Sequence, residues 1–148
     1  MHFTASAWAT TLALTSTSAA VSSQSVLNNC TESIWITNIN STKSTIGPLE
    51  IKGAGGQWDT EILGVGNSLG VSKTDRFWSN ETAKLILGTS TDMGILYWTI
   101  SHVDGDPFER QTFNITSGET NACGNATTYD KKVHACQDKD VVLNLKLC

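Results

Sequence analysis

The chain has 148 residues, a formal net charge of −4 and four cysteines, a length that allows one domain. The mildly acidic balance excludes the basic surface that nucleic-acid binding requires. The sequence has no window of 18 apolar residues, so we predict no membrane-spanning segment. Charged residues make up 16% of the chain, below the usual share of about 25%. Ser, Thr, Asn and Gly take their place, which favours short strands and turns over long helices.

The N-terminal segment has the composition of an export signal. Residues 1–31 carry no charged side chain, and Glu32 is the first. An apolar centre is followed by small residues ending at Ala20, a pattern typical of a secretory signal cleaved there. The alternative is a disordered tail rich in Ser and Thr. We predict that residues 1–20 are a signal peptide, that residues 21–148 form one domain, and that the protein is secreted.

Alternation of apolar and polar residues with period two recurs along the remaining chain. It is seen in residues 33–38, 58–62, 69–71 and 141–148, while residues 83–87 and 95–101 are apolar runs rich in strand-forming residues. Residues 88–94 are polar and predict the turn of a hairpin between the runs on either side. Turn signals such as Gly47-Pro48 separate the other runs. Many short strands with frequent turns predict an all-β sandwich or barrel.

The cysteines lie at positions 30, 123, 136 and 148, an even set without C-x-x-C spacing. This pattern favours disulfides over zinc. Cys30 directly precedes the first predicted strand and Cys148 ends the last. A bridge between them would tie the termini together and hold the last strand beside the first. We therefore predict Cys30–Cys148 and Cys123–Cys136, with the sequential and crossed pairings as alternatives.

Five N-x-[ST] sequons mark candidate sites of N-glycosylation. They lie at Asn29, Asn40, Asn80, Asn114 and Asn125. The sequon of Asn29 contains Cys30, a predicted disulfide partner. We therefore predict glycosylation at the other four.

Several motifs resemble those of thaumatin-like proteins. Residues 96–108, LYWTISHVDGDPF, are similar to the family's strand-and-turn segment. Residues 28–30, Asn-Asn-Cys, and the final Leu147-Cys148 resemble its first and last cysteines, which pair with each other. Gly47-Pro48 and the Gly-Gly-Gln-Trp of residues 55–58 resemble its early turn and second strand.

A closer resemblance is to the small fungal branch of that family, the Blastomyces yeast-phase-specific proteins. The shared features are a reduced cysteine set and the ending of residues 135–148. The resemblance implies a thaumatin- or osmotin-like β-sandwich in a reduced form with two disulfides. It also implies secretion and contact with fungal surfaces or a host. We expect a monomer whose partner is cell-wall polysaccharide or a host surface.

The resemblance also raises the question of enzymatic activity. Larger thaumatin-like proteins have an acidic cleft in which carboxylates could bind or hydrolyse β-1,3-glucan. Glycoside hydrolysis needs two carboxyl groups. The motif match carries across only Asp104, since the family's second Asp falls at Thr99 and its Glu near Leu85 or Ile86. We therefore predict that the protein is not an enzyme. A degenerate endo-β-1,3-glucanase and a small effector that binds a host protein are the alternatives.

A cluster of polar residues follows the same motif, at His102, Asp104, Asp106 and Glu109. Such oxygen donors could hold a hard cation. Their spacing is not that of a calcium loop, and Pro107 restricts the backbone. We therefore interpret the cluster as a solvated turn and predict no metal or cofactor.

Tryptophans are the remaining candidates for ligand binding. Trp35 lies opposite in phase to Ile34 and Ile36, and Trp78 lies in a polar context. Sugar faces stack on aromatic rings, although burial in the core is the usual place for such a ring. We predict a glycan-binding surface at Trp35, Trp78 and Asp104.

Overall fold

The computed structural model describes residues 21–118 and 121–148, so the predicted signal peptide lies outside the described residues. Within these two ranges the chain forms strands and no helix. The strands are β1 (Ser23–Asn28), β2 (Ile34–Ile39), β3 (Thr45–Ile51), β4 (Gly56–Glu61), β5 (Asn67–Ser72), β6 (Lys84–Asp92), β7 (Ile95–Val103), β8 (Phe113–Ser117), β9 (His134–Gln137) and β10 (Val142–Leu147). The described part of the chain thus holds no helix that could cross a membrane.

The strands form two sheets. One has four strands in the order β4-β1-β10-β8, and the other has six in the order β3-β2-β5-β6-β7-β9. Strands β1 and β10 are parallel, whereas the other neighbours run antiparallel. Inward-facing residues of both sheets form a single apolar core. The all-β fold therefore agrees with the prediction from the strand patterns.

The two termini meet in the four-stranded sheet. Strand β10 pairs with β1 in parallel, with Leu147 opposite Asn28. Because parallel strands end at the same edge, Cys30 and Cys148 emerge side by side and form a disulfide. Cys123 pairs with Cys136. These are the pairings that the sequence analysis favours.

The partner of the last strand differs from the prediction. We expected it to lie beside the strand that follows Cys30, but that strand, β2, belongs to the other sheet. The partner is β1, which precedes Cys30. This strand has no apolar alternation, because two of its three buried positions are the polar residues Gln24 and Asn28. Gln24 Nε2 donates to Asn38 Oδ1 of the six-stranded sheet at 3.1 Å. The buried carboxamide of Gln24 therefore has a hydrogen-bond partner between the two sheets.

The turn predicted at Gly47-Pro48 lies within strand β3 instead. Strand β3 is at the edge of the six-stranded sheet. Proline is tolerated there because its missing N–H is not needed by a further strand. Most of β3 is exposed, which also removes the apolar alternation that would have identified it.

The hairpin between β6 and β7 is confirmed, but its turn is much shorter than predicted. Residues 88–92 continue β6 up to Asp92, which pairs with Ile95. The connection is Met93-Gly94, and both residues have positive φ, as a two-residue type I′ turn requires. The polar residues of the predicted linker are thus strand residues near the end of the sandwich.

The connection between β8 and β9 is held against the core by an aromatic stack. Trp98 is buried, and its Nε1 donates to the carbonyl of Cys123 at 2.9 Å. The imidazole of His134 stacks on Trp98 with 3.9 Å between ring centroids. Its Nε2 lies 2.9 Å from the carboxylate of Asp130. The backbone N–H of Lys132 donates to the same carboxylate and lowers the pKa of Asp130, and His134 lowers it further.

This pKa shift predicts acid sensitivity of the connection. The folded-state pKa of Asp130 is below its unfolded value of about 3.9. Its stabilising contribution is therefore present above that value and is lost as the pH falls through the folded-state pKa. Thermal unfolding of the wild type and of D130N should differ less at about pH 1 than at about pH 5. Parallel curves of Tm against pH for the two proteins would contradict this expectation.

Candidate functional site

An open groove lies on the outer face of the six-stranded sheet, and we call it the Trp78 groove. Its volume is about 410 Å³. Its lining residues are Ile39, Ser68, Phe77, Trp78, Asn80, Lys84, Ile86 and Val103. Ile39, Ile86 and Val103 give it an apolar surface. Among the described residues that line it, none carries a carboxylate.

The groove is built by the loop of residues 73–83, which folds back over the sheet. Phe77 anchors this loop, because its ring occupies the space that a side chain at Gly70 would fill. A Cβ atom at Gly70 would lie 2.2 Å from Cε2 of Phe77. Phe77 is buried, and its ring contacts Trp78 edge-on with 5.1 Å between centroids. This arrangement holds Trp78 at the surface with 65% of its area exposed.

Lys84 fastens the same loop to the end of β7. Its Nζ donates to the carboxylate of Asp104 at 2.6 Å and to the carbonyl of Ser79 at 3.0 Å. It also lies 5.8 Å from the centroid of the Phe77 ring. The lysine side chain is only 8% exposed, so its charge is balanced by these neighbours rather than by solvent. Lys84 therefore links the loop that forms the groove to the end of β7.

The structure places the three predicted glycan-binding residues on one face of the sheet. Trp35 is opposite Ser72, which is opposite Lys84 in the next strand, and directly opposed residues share a face. Asp104 joins this face through its bond to Lys84. Trp78 lines the groove, whereas Asp104 is not among its lining residues and bonds one of them, Lys84. Trp35 is half-buried and lies two strands away from Lys84, outside the groove lining.

Sequence reasoning missed the residues that shape the groove. Phe77 and Lys84 are contributed by the loop and by the outward face of β6, and Gly70 by the outward face of β5. The fact that Lys84 alternates with Leu85 shows which face it occupies. Nothing in the local pattern shows that Phe77 fills the space above Gly70, because this contact depends on how the loop folds back.

Of the three positions at which the larger thaumatin-like proteins have acidic residues in this region, only Asp104 is acidic here. Asp104 is bonded to Lys84. Thr99 lies on β7 and cannot ionise, while Ile86 contributes its apolar side chain to the groove and Leu85 is buried in the core. Among the described residues that line the groove, none supplies the second carboxyl group that glycoside hydrolysis uses.

The polar turn after β7 is internally bonded. Asp106 accepts from the backbone N–H of Phe108 at 2.8 Å and from the hydroxyl of Tyr129 at 2.6 Å. Burial and this bond to Asp106 raise the pKa of Tyr129, so the hydroxyl keeps its proton. In the part of the chain that the structure describes, no three His, Cys, Asp or Glu side chains are grouped to hold a metal.

The predicted glycosylation sites occupy four different places. Asn40 accepts three hydrogen bonds within the turn after β2. Asn80 is exposed and lines the Trp78 groove. Asn114 lies on the outward face of the four-stranded sheet, and Asn125 is exposed in the connection between β8 and β9. Only one sequon therefore adjoins the candidate site.

The two-layer sandwich, with its last strand paired to its first, is a thaumatin-like fold. A thaumatin-like xylanase inhibitor, TLXI, superimposes with a TM-score of 0.59 at 11% identity, over 84% of this chain and 98% of that chain. The protein elicitor MoHrip2 from Magnaporthe oryzae superimposes with a TM-score of 0.70 at 20% identity, over 86% of this chain and 98% of that one.

The sequence also identifies the family. The Blastomyces yeast-phase-specific protein family, Bys1, matches residues 11–148. The chain belongs to this family, as the resemblance in the cysteines and the C-terminal motif indicates. No curated protein matches the sequence.

Proposed function

We propose that this protein is a secreted, non-enzymatic thaumatin-like protein that binds fungal wall polysaccharide through the Trp78 groove. The observation that carries the proposal is the exposed indole of Trp78, which contacts the buried ring of Phe77 beside an apolar groove. The ring adjoins Ile39, Ile86 and Val103 in the groove lining, and a contiguous exposed apolar patch of this kind is typical of a ligand-binding groove. A pyranose ring offers an apolar C–H face that packs on such an indole, with its hydroxyl groups directed to polar neighbours.

The rim of the groove supplies those polar neighbours. Ser68 lines it and can exchange hydrogen bonds with sugar hydroxyls. Asp104 binds Lys84 through Oδ2, which leaves its Oδ1 to accept from a hydroxyl. Asp104 in this role is a ligand for sugar and not an acid catalyst. Trp35 extends the same face beyond the groove, where a longer chain of sugars would continue.

Secretion is part of this proposal. The predicted signal ends at Ala20, and cleavage there leaves Ser22 in the mature chain. Ser22 is buried, its carbonyl accepts from the N–H of Ile62 at 2.8 Å, and its hydroxyl bonds Asp138. The two disulfides require an oxidising compartment. These features support export of a folded domain that begins near Val21.

Substitution W78A is expected to abolish most retention on insoluble polysaccharide. Loss of a central tryptophan contact costs about 2 kcal/mol or more, which corresponds to a reduction in affinity of about 30-fold. Retention of protein without N-glycans on insoluble β-1,3-glucan and on chitin measures it, with M93A as the control. Met93 is fully exposed at the β6–β7 turn, at the far end of β6 from Lys84. Equal retention of W78A and the wild type would contradict the proposal, as would release of soluble sugars from the glucan.

A small effector that binds a host protein is the second candidate. The descriptions of the two solved structures, a protein elicitor and a xylanase inhibitor, favour it. The same exposed face would then contact a protein. A wild-type protein that neither polysaccharide retains, but that slows a purified xylanase, would favour this candidate.

A further inference from the structure

We infer that Asn80 carries an N-linked glycan whose first N-acetylglucosamine packs on Trp78. The glycan would also regulate the Trp78 groove. A sugar packed on Trp78 occupies the ring that an external polysaccharide would use. The regulatory part of the inference rests on the proposed function. The packing of the glycan on Trp78 is argued independently, from the geometry of residues 76–84.

The backbone between Trp78 and Asn80 is held in a fixed turn. The N–H of Ser79 donates to the carbonyl of Arg76 at 3.0 Å, and the N–H of Thr82 donates to the carbonyl of Ser79 at 3.1 Å. Lys84 Nζ donates to that same carbonyl of Ser79. Both Trp78 and Asn80 line the groove. A sugar attached to Asn80 therefore starts beside the indole.

The carboxamide of Asn80 is also free of competing bonds within the described residues, whereas that of Asn40 accepts three hydrogen bonds from its own turn. Among the five sequons, only that of Asn80 has an aromatic residue two positions earlier. The corresponding residues for the others are Leu27, Asn38, Thr112 and Cys123. The groove and the sequon thus point independently to the same pair of side chains.

The modification is a group transfer in the secretory pathway. The amide nitrogen Nδ2 of Asn80 attacks C1 of an oligosaccharide carried on a lipid diphosphate. A C–N bond forms, the bond between C1 and the phosphate oxygen breaks, and the lipid diphosphate leaves. The amide gives up one proton to a base of the transferase. The first sugar then lies within reach of Trp78 and covers part of its exposed face.

The test uses the full chain secreted from a fungal expression host, and peptide mapping measures the occupancy of each sequon. An endoglycosidase then trims each glycan to one N-acetylglucosamine. With a single sugar left, the wild type is expected to melt about 2–6 °C higher than N80Q, because the sugar covers the indole. In the W78A background, the N80Q substitution is expected to leave Tm unchanged. N125Q is the matched control, because Asn125 is exposed with no aromatic residue two positions earlier, and its effect on Tm should be the same with and without Trp78.

Two results would overturn the inference. One is an unmodified Asn80 in the secreted protein, and the other is a Tm difference between the wild type and N80Q that persists in W78A. The regulatory part is measured separately, since N80Q is expected to be retained on polysaccharide several-fold more than the glycosylated wild type. If N80Q is not retained at all, the proposed function is wrong, and so is the regulation of polysaccharide binding by the glycan. The Tm comparison still decides whether the sugar packs on Trp78.

Discussion

Replacing both Cys30 and Cys148 with alanine is expected to lower the free energy of unfolding by about 5 kcal/mol, since the bridge closes a loop of 118 residues. The same calculation gives about 3 kcal/mol for Cys123 and Cys136, which are 13 residues apart. A domain of this size is stable by only about 5–15 kcal/mol in total. Loss of the first bridge therefore brings the protein close to unfolding at ordinary temperature.

Burial does not distinguish the two bridges, because Cys30 and Cys123 both lie in the core cluster. The position of the first bridge, where the parallel strands β1 and β10 end, supports its larger effect. Without the bridge, the last strand is held by hydrogen bonds and by Leu143, Leu145 and Leu147 alone. Denaturant unfolding of the two double variants, each compared with the wild type, measures the difference. A smaller loss for C30A/C148A than for C123A/C136A would show that the length of the closed loop does not control stability here.

Strands β10 and β1 show how the residue type at buried positions affects prediction from this sequence. Strand β10 shows the alternation clearly because Leu143, Leu145 and Leu147 all face the core. Strand β1 fails the same test because Gln24 and Asn28 occupy core-facing positions. Their polar groups are satisfied by partners distant in the sequence, and a local pattern contains no information about these partners.

The candidate site could be predicted only in part for a similar reason. The polar context of Trp78 indicates an exposed ring, and the thaumatin-like motif directs attention to Asp104. Phe77 and Lys84 determine where that ring stands, and each acts through a residue on another element. Sheet register brings these residues together, and register is set by the whole fold. The sequence could therefore name candidate residues, while their arrangement in space could not be predicted from it.

Substitution G70A is expected to remove the groove while leaving the core intact. Gly70 is on the outer face of β5, and an added Cβ would lie 2.2 Å and 2.4 Å from two carbon atoms of the Phe77 ring. The Phe77 ring must move away from the sheet, and the loop that carries Trp78 moves with it. Overpacking of this kind costs about 1–3 kcal/mol. Denaturant unfolding and retention on polysaccharide measure the two consequences, and both are expected to fall.

The comparison with G88A separates this clash from the other effects of replacing glycine in a strand. Gly88 faces the same side of the neighbouring strand β6, and neither glycine has a positive φ. Both substitutions therefore reduce the freedom of the unfolded chain by a similar amount, which favours folding by about 0.4–1 kcal/mol. A Cβ at Gly88 meets only the methyl group of Thr99, at 3.2 Å. Because the effect on the unfolded chain is similar for the two substitutions, the difference in free energy of unfolding between G70A and G88A measures the cost of displacing Phe77. Equal stability and equal retention for G70A and G88A would show that Phe77 does not hold Trp78 in place.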